Sequence, residues 1–398
     1  MADPFDFWRL AWTNAFSRFA DFFAGAAVNG REAAAPDLSS LPVFGRVRLE
    51  LATMLLLEER QPATSRPPTA LIVAPFAVHE ASIADFAEGH SLSKAMAEGG
   101  ASFLAVTWWR SATVAMRDYG IGAYLGDLNV AVDDLGGRAS LVGLCQGGWL
   151  AAAYAARFPA KVAKLALAGT PIDLAAADSH ITRSLASVPP MTIAEVVALG
   201  GGRVFGFLAL ALWPQESAAE EALQCAGDRK LMERFDKWNV RTVDLPGAYF
   251  VQTAEWIFRE NRLARGSFPA LGRRVALSSI TAPIFVLAAA DDEIVALPQA
   301  IAVKSLCPET RVEIRVEPGH HLSLFMGRRT VGSAWREIGR WLAGRESEAA
   351  PAPEARKVEE QPRNKPASGS DSNLGIAGSR SYTAPKIFRD SCRAVQGQ

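Results

Sequence analysis

One ten-residue stretch, Ser140-Leu-Val-Gly-Leu-Cys145-Gln-Gly-Gly-Trp149, constrains this chain more than any other. Apolar β-formers lead into Gly-x-Cys-x-Gly, and an alanine-rich helical stretch, Leu150 to Arg157, follows. A strand, a sharp turn and a helix in that order form a nucleophile elbow, with Cys145 in the seat usually held by serine. Gly143 and Gly147 are expected where a Cβ would strike the flanking strand and helix. The turn lifts the thiol to the carboxyl end of a parallel strand and sets it at a helix N-terminus, whose positive end favours a thiolate. Most lone cysteines are buried structural residues, but here the surrounding pattern argues for a nucleophile.

An elbow needs a parallel sheet around it, and the chain supplies one. A buried strand is expected at Ala70 to Ala74, and further strands at Phe103 to Thr107, Ala139 to Leu144, Val162 to Ala168, Pro283 to Ala289 and Arg311 to Val316. Helices are expected near Leu92 to Glu98, Tyr119 to Asp134, 149–157 and Thr330 to Leu342. This alternation implies right-handed βαβ units and an α/β architecture with a mostly parallel central sheet flanked by helices. Residues 46–60 read as a further helix ahead of the core.

The rhythm breaks over 172–270, which holds Pro189-Pro190, Gly200-Gly-Gly202 and the apolar run Val204 to Trp213. An insertion here, between sheet strands, is expected to form a cap over the site. The organisation is therefore an N-terminal segment over 1–45, core over 46–171, cap over 172–270, core again over 271–344 and a tail over 345–398. In the first 27 residues Trp8, Trp12, Phe16, Phe19 and Phe23 fall on one face of a helix. That face suits packing on the domain, a dimer interface, or an anchor to lipid or a polymer granule. The tail is rich in Ala, Pro, Glu, Lys, Ser and Gly, a composition that does not build a core.

The chain has 398 residues, with 42 Lys and Arg against 42 Asp and Glu, so nothing in its charge calls for a nucleic acid partner. Four scattered cysteines suggest neither disulfides nor a zinc site, and no metal is expected. No apolar run reaches the roughly 18 residues of a membrane span. Asp3 and Asp6 stand where a signal peptide would be basic, and Arg9, Asn14, Arg18 and Asp21 interrupt the apolar run. The cytoplasm is the expected location.

Just past later strands lie Asp291-Asp292 and His320-His321. A parallel sheet gathers its functional loops at the carboxyl ends of its strands, so nucleophile, acid and histidine converge in chain order. Pattern alone does not choose within either pair. The Gln146 N–H is expected to supply one oxyanion donor, and the loop near Phe76 or Ala77 the other. His79, in that loop, is placed to line the pocket, although a hydrogen-bonded loop histidine is the more ordinary role. A cysteine nucleophile also speaks to the reaction. Exchange between a thioester and a thiol is close to isoenergetic, so the acyl-enzyme keeps its activation and can acylate a hydroxyl.

Several motifs in register then resemble polyhydroxyalkanoate synthases over roughly residues 66–343. Gly143-Leu-Cys145-Gln-Gly-Gly148 is similar to their lipase-like box, with Phe158-Pro-Ala-Lys161 and Thr170-Pro-Ile-Asp173 after it. Ile83-Ala-Asp85, Trp238-Asn239, Leu245-Pro-Gly247, Glu260-Asn-Arg-Leu263, Gly272-Arg-Arg-Val275 and Ile280-Thr-Ala-Pro283 continue the match. The resemblance implies an α/β-hydrolase fold and puts the acid on Asp292 and the histidine on His321. It also sets Trp238 at the substrate.

The resemblance further implies a reaction. His321 activates Cys145, which takes the acyl group of an (R)-3-hydroxyacyl-CoA and expels CoA. Asp292 helps activate the next hydroxyl, and a polyester grows. The coenzyme A thioester is a substrate, and no separate cofactor is implied. The partners implied are the hydroxyacyl-CoA, the polyester chain, a homodimer or second synthase subunit, and the granule surface. The chain departs from the family at Trp149, large enough to crowd the elbow helix or the pocket, at Glu293 in place of histidine, and at Val295-Ala296 in place of Val-Pro. Intracellular polyhydroxybutyrate depolymerases are also similar, with a Cys/Asp/His set and the Pro-Ile-Asp segment, but their box lacks the Gly-Gly pair. A depolymerase or other cysteine esterase therefore ranks second, and a non-catalytic granule-associated homologue third.

Overall fold

Continuous runs of buried β-branched and aliphatic residues build the centre of the computed structural model. Residues 37–60, 70–211 and 219–345 are described. The aromatic stretch over 1–27 lies outside them, as does the tail from residue 346 on. The strands are β1 (Phe44–Glu50), β2 (Met54–Glu59), β3 (Ala70–Val73), β4 (Leu104–Trp109), β5 (Ala139–Leu144) and β6 (Val162–Ala168). After the insertion, which carries β7 (Arg203–Val204), β8 (Leu245–Pro246), β9 (Phe268–Ala270) and β10 (Arg273–Val275), come β11 (Ile284–Ala289) and β12 (Val312–Glu317). The large sheet runs β1-β2-β4-β3-β5-β6-β11-β12, parallel from β4 to β12. Every residue of β3, β4, β5 and β11 is buried, as expected of parallel strands covered on both faces.

The helix expected over 46–60 is not there. β1 and β2 form an antiparallel hairpin, and β2 continues antiparallel onto β4, pairing Met54 with Trp109 and Leu57 with Val106. Leucine-rich segments have good helix propensity, but pairing with β4 buries Met54, Leu56 and Leu57 fully, and packing overrides the local preference. Arg46 and Arg48 both reach Glu58 across the hairpin, at 3.1 and 3.2 Å. Asp85, from the Ile83-Ala-Asp85 motif, accepts the Val43 and Phe44 N–H groups at 2.7 and 3.0 Å, which ties the hairpin to the core.

Between β6 and β11 the chain leaves the sheet. This insertion carries helices His180–Ser187, Pro190–Leu199, Arg229–Asn239 and Gly247–Gln252, the last running into a π-helical turn, Thr253–Arg259. Its two ends are fastened together by motif residues: Asn261 Nδ2 donates to Asp173 Oδ1 at 2.7 Å, and Asn261 Oδ1 accepts from the Leu174 N–H at 3.2 Å. Asn261 sits at φ 51°, a conformation asparagine tolerates better than most residues. Among the described residues no helix is long and apolar enough to cross a membrane, and no cluster of metal-ligating side chains occurs.

Candidate active site

The elbow is built by close backbone approach. Cys145 has φ 48° and ψ −118°, a strained conformation for a residue with a Cβ, between the end of β5 and the helix Gln146–Arg157. A Cβ on Gly147 would stand 2.1 Å from the Val73 carbonyl oxygen, and one on Gly148 would stand 1.9 Å from Thr170 Oγ1. Gly148, the last glycine of the box, and the Thr-Pro-Ile-Asp segment are thus two halves of one contact. The Cys145 N–H donates to the Ala168 carbonyl at 2.8 Å, closing the turn onto β6.

Topology brings the remaining groups to the same edge. β3, β5, β11 and β12 run parallel, so the residues that follow them emerge at one end of the sheet. Asp292 follows β11 and His321 follows β12. His321 Nδ1 lies 2.8 Å from Asp292 Oδ2 and 3.0 Å from Oδ1, with both side chains about 1 % exposed. Asp292 Oδ1 also accepts the Ile294 and Val295 N–H groups, at 2.9 and 2.8 Å, so the carboxylate is held from both sides. The imidazole also interacts with the Cys145 side chain. Burial opposes charge on His321, but the Asp292 carboxylate and the sulfur outweigh it and hold its pKa well above the ordinary value.

The two neighbours of this pair point elsewhere. The His320 side chain is 43 % exposed, its Nδ1 lying 3.1 Å from the Asp291 carbonyl and 3.4 Å from Glu293 Oε2. Glu293 has a bracing role that its place in the sequence did not suggest. Its carboxylate accepts the His321 N–H at 3.2 Å, and its carbonyl accepts the His180 N–H at 3.1 Å. It therefore joins the histidine loop to the first helix of the insertion.

An apolar cleft, about 730 Å³ of empty space including its open mouth, reaches the elbow at Gln146. Phe76, Ala77 and Val78 line it from the loop after β3, and Ile181, Leu185, Val188, Leu245, Phe250 and Phe258 line it from the insertion. Gln146 and Phe76 thus share one cavity wall. The N–H groups of a first helical turn have no intrahelical acceptor, which suits them to a developing oxyanion. Trp149 does not line the cleft. It is fully buried, its ring 6.0 Å from Phe268 of β9 and 6.4 Å from Tyr249, so it props the insertion against the elbow helix.

His79 and Trp238 stand together but outside the cleft lining. Their rings stack at 4.1 Å, and His79 Nε2 lies 2.9 Å from the Asn239 carbonyl. Burial pushes the His79 pKa down to about 4, so the fold holds this imidazole neutral. A depressed folded pKa means stability that is present above the unfolded value of about 6.5 and lost as pH falls toward 4. Between pH 7 and pH 5 the loss expected is about 2 kcal/mol. Urea unfolding of wild type and His79→Phe at both pH values checks this, and parallel pH slopes for the two proteins would refute it.

The fold and this geometry define the class, and comparison with known proteins agrees. The chain belongs to the alpha/beta hydrolase fold family, whose model matches residues 89–325. The likeness to polyhydroxyalkanoate synthases is also borne out. A poly(3-hydroxyalkanoate) polymerase subunit PhaC from Synechocystis is 25% identical over 315 residues, covering 73% of this chain and 82% of the relative. That of Allochromatium vinosum is 23% identical over 292 residues, covering 70% and 82%. Among solved structures, the haloalkane dehalogenase DbeA of Bradyrhizobium elkani aligns with a TM-score of 0.49 at 15% identity, covering 76% of this chain and 99% of that one.

Proposed function

We propose that this chain is a cysteine acyltransferase that polymerises (R)-3-hydroxyacyl groups from their coenzyme A thioesters. The observation that carries the reading is a buried thiol on a strained elbow beside His321, whose other ring nitrogen is held by the buried Asp292 carboxylate. His321 takes the Cys145 proton as the sulfur attacks the thioester carbonyl. The N–H of Gln146 and one from the Phe76–Ala77 segment receive the oxyanion. The bond from carbon to the CoA sulfur breaks, and His321 returns the proton to the departing thiolate.

In the second step a hydroxyl from another unit or chain end gives its proton to His321, supported by Asp292, and its oxygen attacks the Cys145 thioester. A new ester forms as the acyl carbon's bond to the Cys145 sulfur breaks, and His321 returns the proton to that sulfur. The names of the polymerase relatives support this chemistry, and so does the retention of acyl activation on sulfur. Their designation as subunits makes a second subunit or a second copy of this chain a partner to seek. An insoluble product makes the polyester granule surface the proposed location, with Trp238 or His79 lining a path only if the stacked pair opens.

The test is CoA release from (R)-3-hydroxybutyryl-CoA by wild type and Cys145→Ala, with the products analysed. We expect the variant to lose at least about 10³-fold in rate, and polyester to accumulate only with wild type. Cysteine-dependent loss of amorphous polyester as free hydroxy acid, without CoA release, would overturn the transferase in favour of a depolymerase.

A further inference from the structure

The cleft is lined almost entirely by carbon, and its polar side chains are few: Gln146, Ser184, Tyr249 and Thr253. Two of these are deeply buried. Tyr249 is 2% exposed and Thr253 is 6% exposed. They stand four residues apart, where the helix Gly247–Gln252 passes into the π-helical turn, so they share a face. The Tyr249 ring is packed against Phe76 and Tyr124 at 5.0 and 4.8 Å, which holds it beside the elbow. The Thr253 hydroxyl approaches that of Tyr249 but has no protein hydrogen bond of good geometry.

A buried hydroxyl with unused capacity is costly unless something fills it, and this one lines the cavity that a reacting acyl group would enter. A 3-hydroxyacyl group carries an oxygen two carbons from its carbonyl, and in an apolar cleft that oxygen needs a partner. With the carbonyl at the Gln146 end, Tyr249 stands on the same cleft wall as Gln146 and Phe76, where a group serving the near part of the acyl chain should be.

We infer that Tyr249 and Thr253 form the subsite that holds the 3-oxygen of the acyl group bound at Cys145, an inference that rests on the acyltransferase reading above. Tyr249 donates to the oxygen, and Thr253 accepts when that oxygen carries a proton. The same phenol donates equally to the ester oxygen of a growing chain, which can only accept, so one subsite serves both the monomer and the elongated acyl-enzyme.

A site built around a substrate hydroxyl rejects the analogue that lacks it. The experiment is single-turnover CoA release from (R)-3-hydroxybutyryl-CoA and from butyryl-CoA. Wild type, Tyr249→Phe, Thr253→Val and Thr253→Ser are compared, with thermal unfolding of each. We expect wild type to favour the hydroxyacyl thioester by roughly 10²-fold, since the site's polar groups stay unpaired with the analogue. Tyr249→Phe and Thr253→Val should each lose about tenfold on the hydroxyacyl thioester and nothing on butyryl-CoA, with Thr253→Ser restoring the rate. Equal losses on both thioesters, or unaltered discrimination in a folded pair of variants, overturn the subsite alone. No Cys145-dependent CoA release from either thioester by wild type removes the acyltransferase reading and the subsite with it.

Discussion

Asp292→Asn should lower cysteine-dependent CoA release by about 10³- to 10⁴-fold while the protein stays folded, the scale seen when a triad aspartate becomes asparagine elsewhere. The reason is positional. Asp292 Oδ1 is pinned by the Ile294 and Val295 N–H groups, so an asparagine would keep its carbonyl oxygen there. Its NH₂ would then occupy the place of Oδ2, 2.8 Å from His321 Nδ1. That nitrogen would have to accept, which moves the ring proton to Nε2, the side on which the thiol proton must be received. The imidazole would also lose the carboxylate that offsets its burial and would bind a proton less readily. Asp291→Asn is the control, and it should leave the rate within about twofold, since only its backbone carbonyl meets His320. Equal losses from the two substitutions would remove Asp292 from its proposed role.

Gly147→Ala should cost about 3 kcal/mol or more, on the scale of overpacking with no room to relax. The added methyl would meet the Val73 and Ala74 carbonyl oxygens at 2.1 and 2.6 Å, and both belong to the backbone at the end of β3. Neither can rotate away as a side chain could, so the elbow helix would have to back off the sheet. For a domain of this size the melting temperature should fall by roughly 5 °C or more. Gly122→Ala, in the helix Ile121–Asp134, meets nothing within 4 Å and should be neutral or stabilising by up to about 1 kcal/mol. Similar melting temperatures for the two variants would mean that the elbow is not packed as described.

The likeness to polyhydroxyalkanoate synthases takes on physical meaning when its motifs are traced in space. Gly148 and Thr170 are in contact, and Asp173 and Asn261 clasp the ends of the insertion. The departures are absorbed as well. Trp149 turns from the cleft toward Phe268, and Glu293 accepts the His321 N–H and so steadies the loop that carries it.

Where each layer of this protein was legible follows from how local its cause is. The strands β3 to β5 and β11 could be read because burial on both faces demands continuous apolar runs, and the elbow because its turn demands glycine on either side of Cys145. The β1–β2 hairpin could not, since leucine-rich segments satisfy helix and strand alike and only the exposed edge of β4 decides between them. Apolar runs and glycine spacing, read along the chain, were enough for the parallel strands and the elbow. The pairing of His321 with Asp292, the stacking that takes His79 and Trp238 off the cleft wall, and the meeting of Tyr249 with Thr253 in one cleft lining came only with the packed fold. Each depends on which backbone groups a distant loop presents, and a one-residue difference in direction is invisible until the loops are packed.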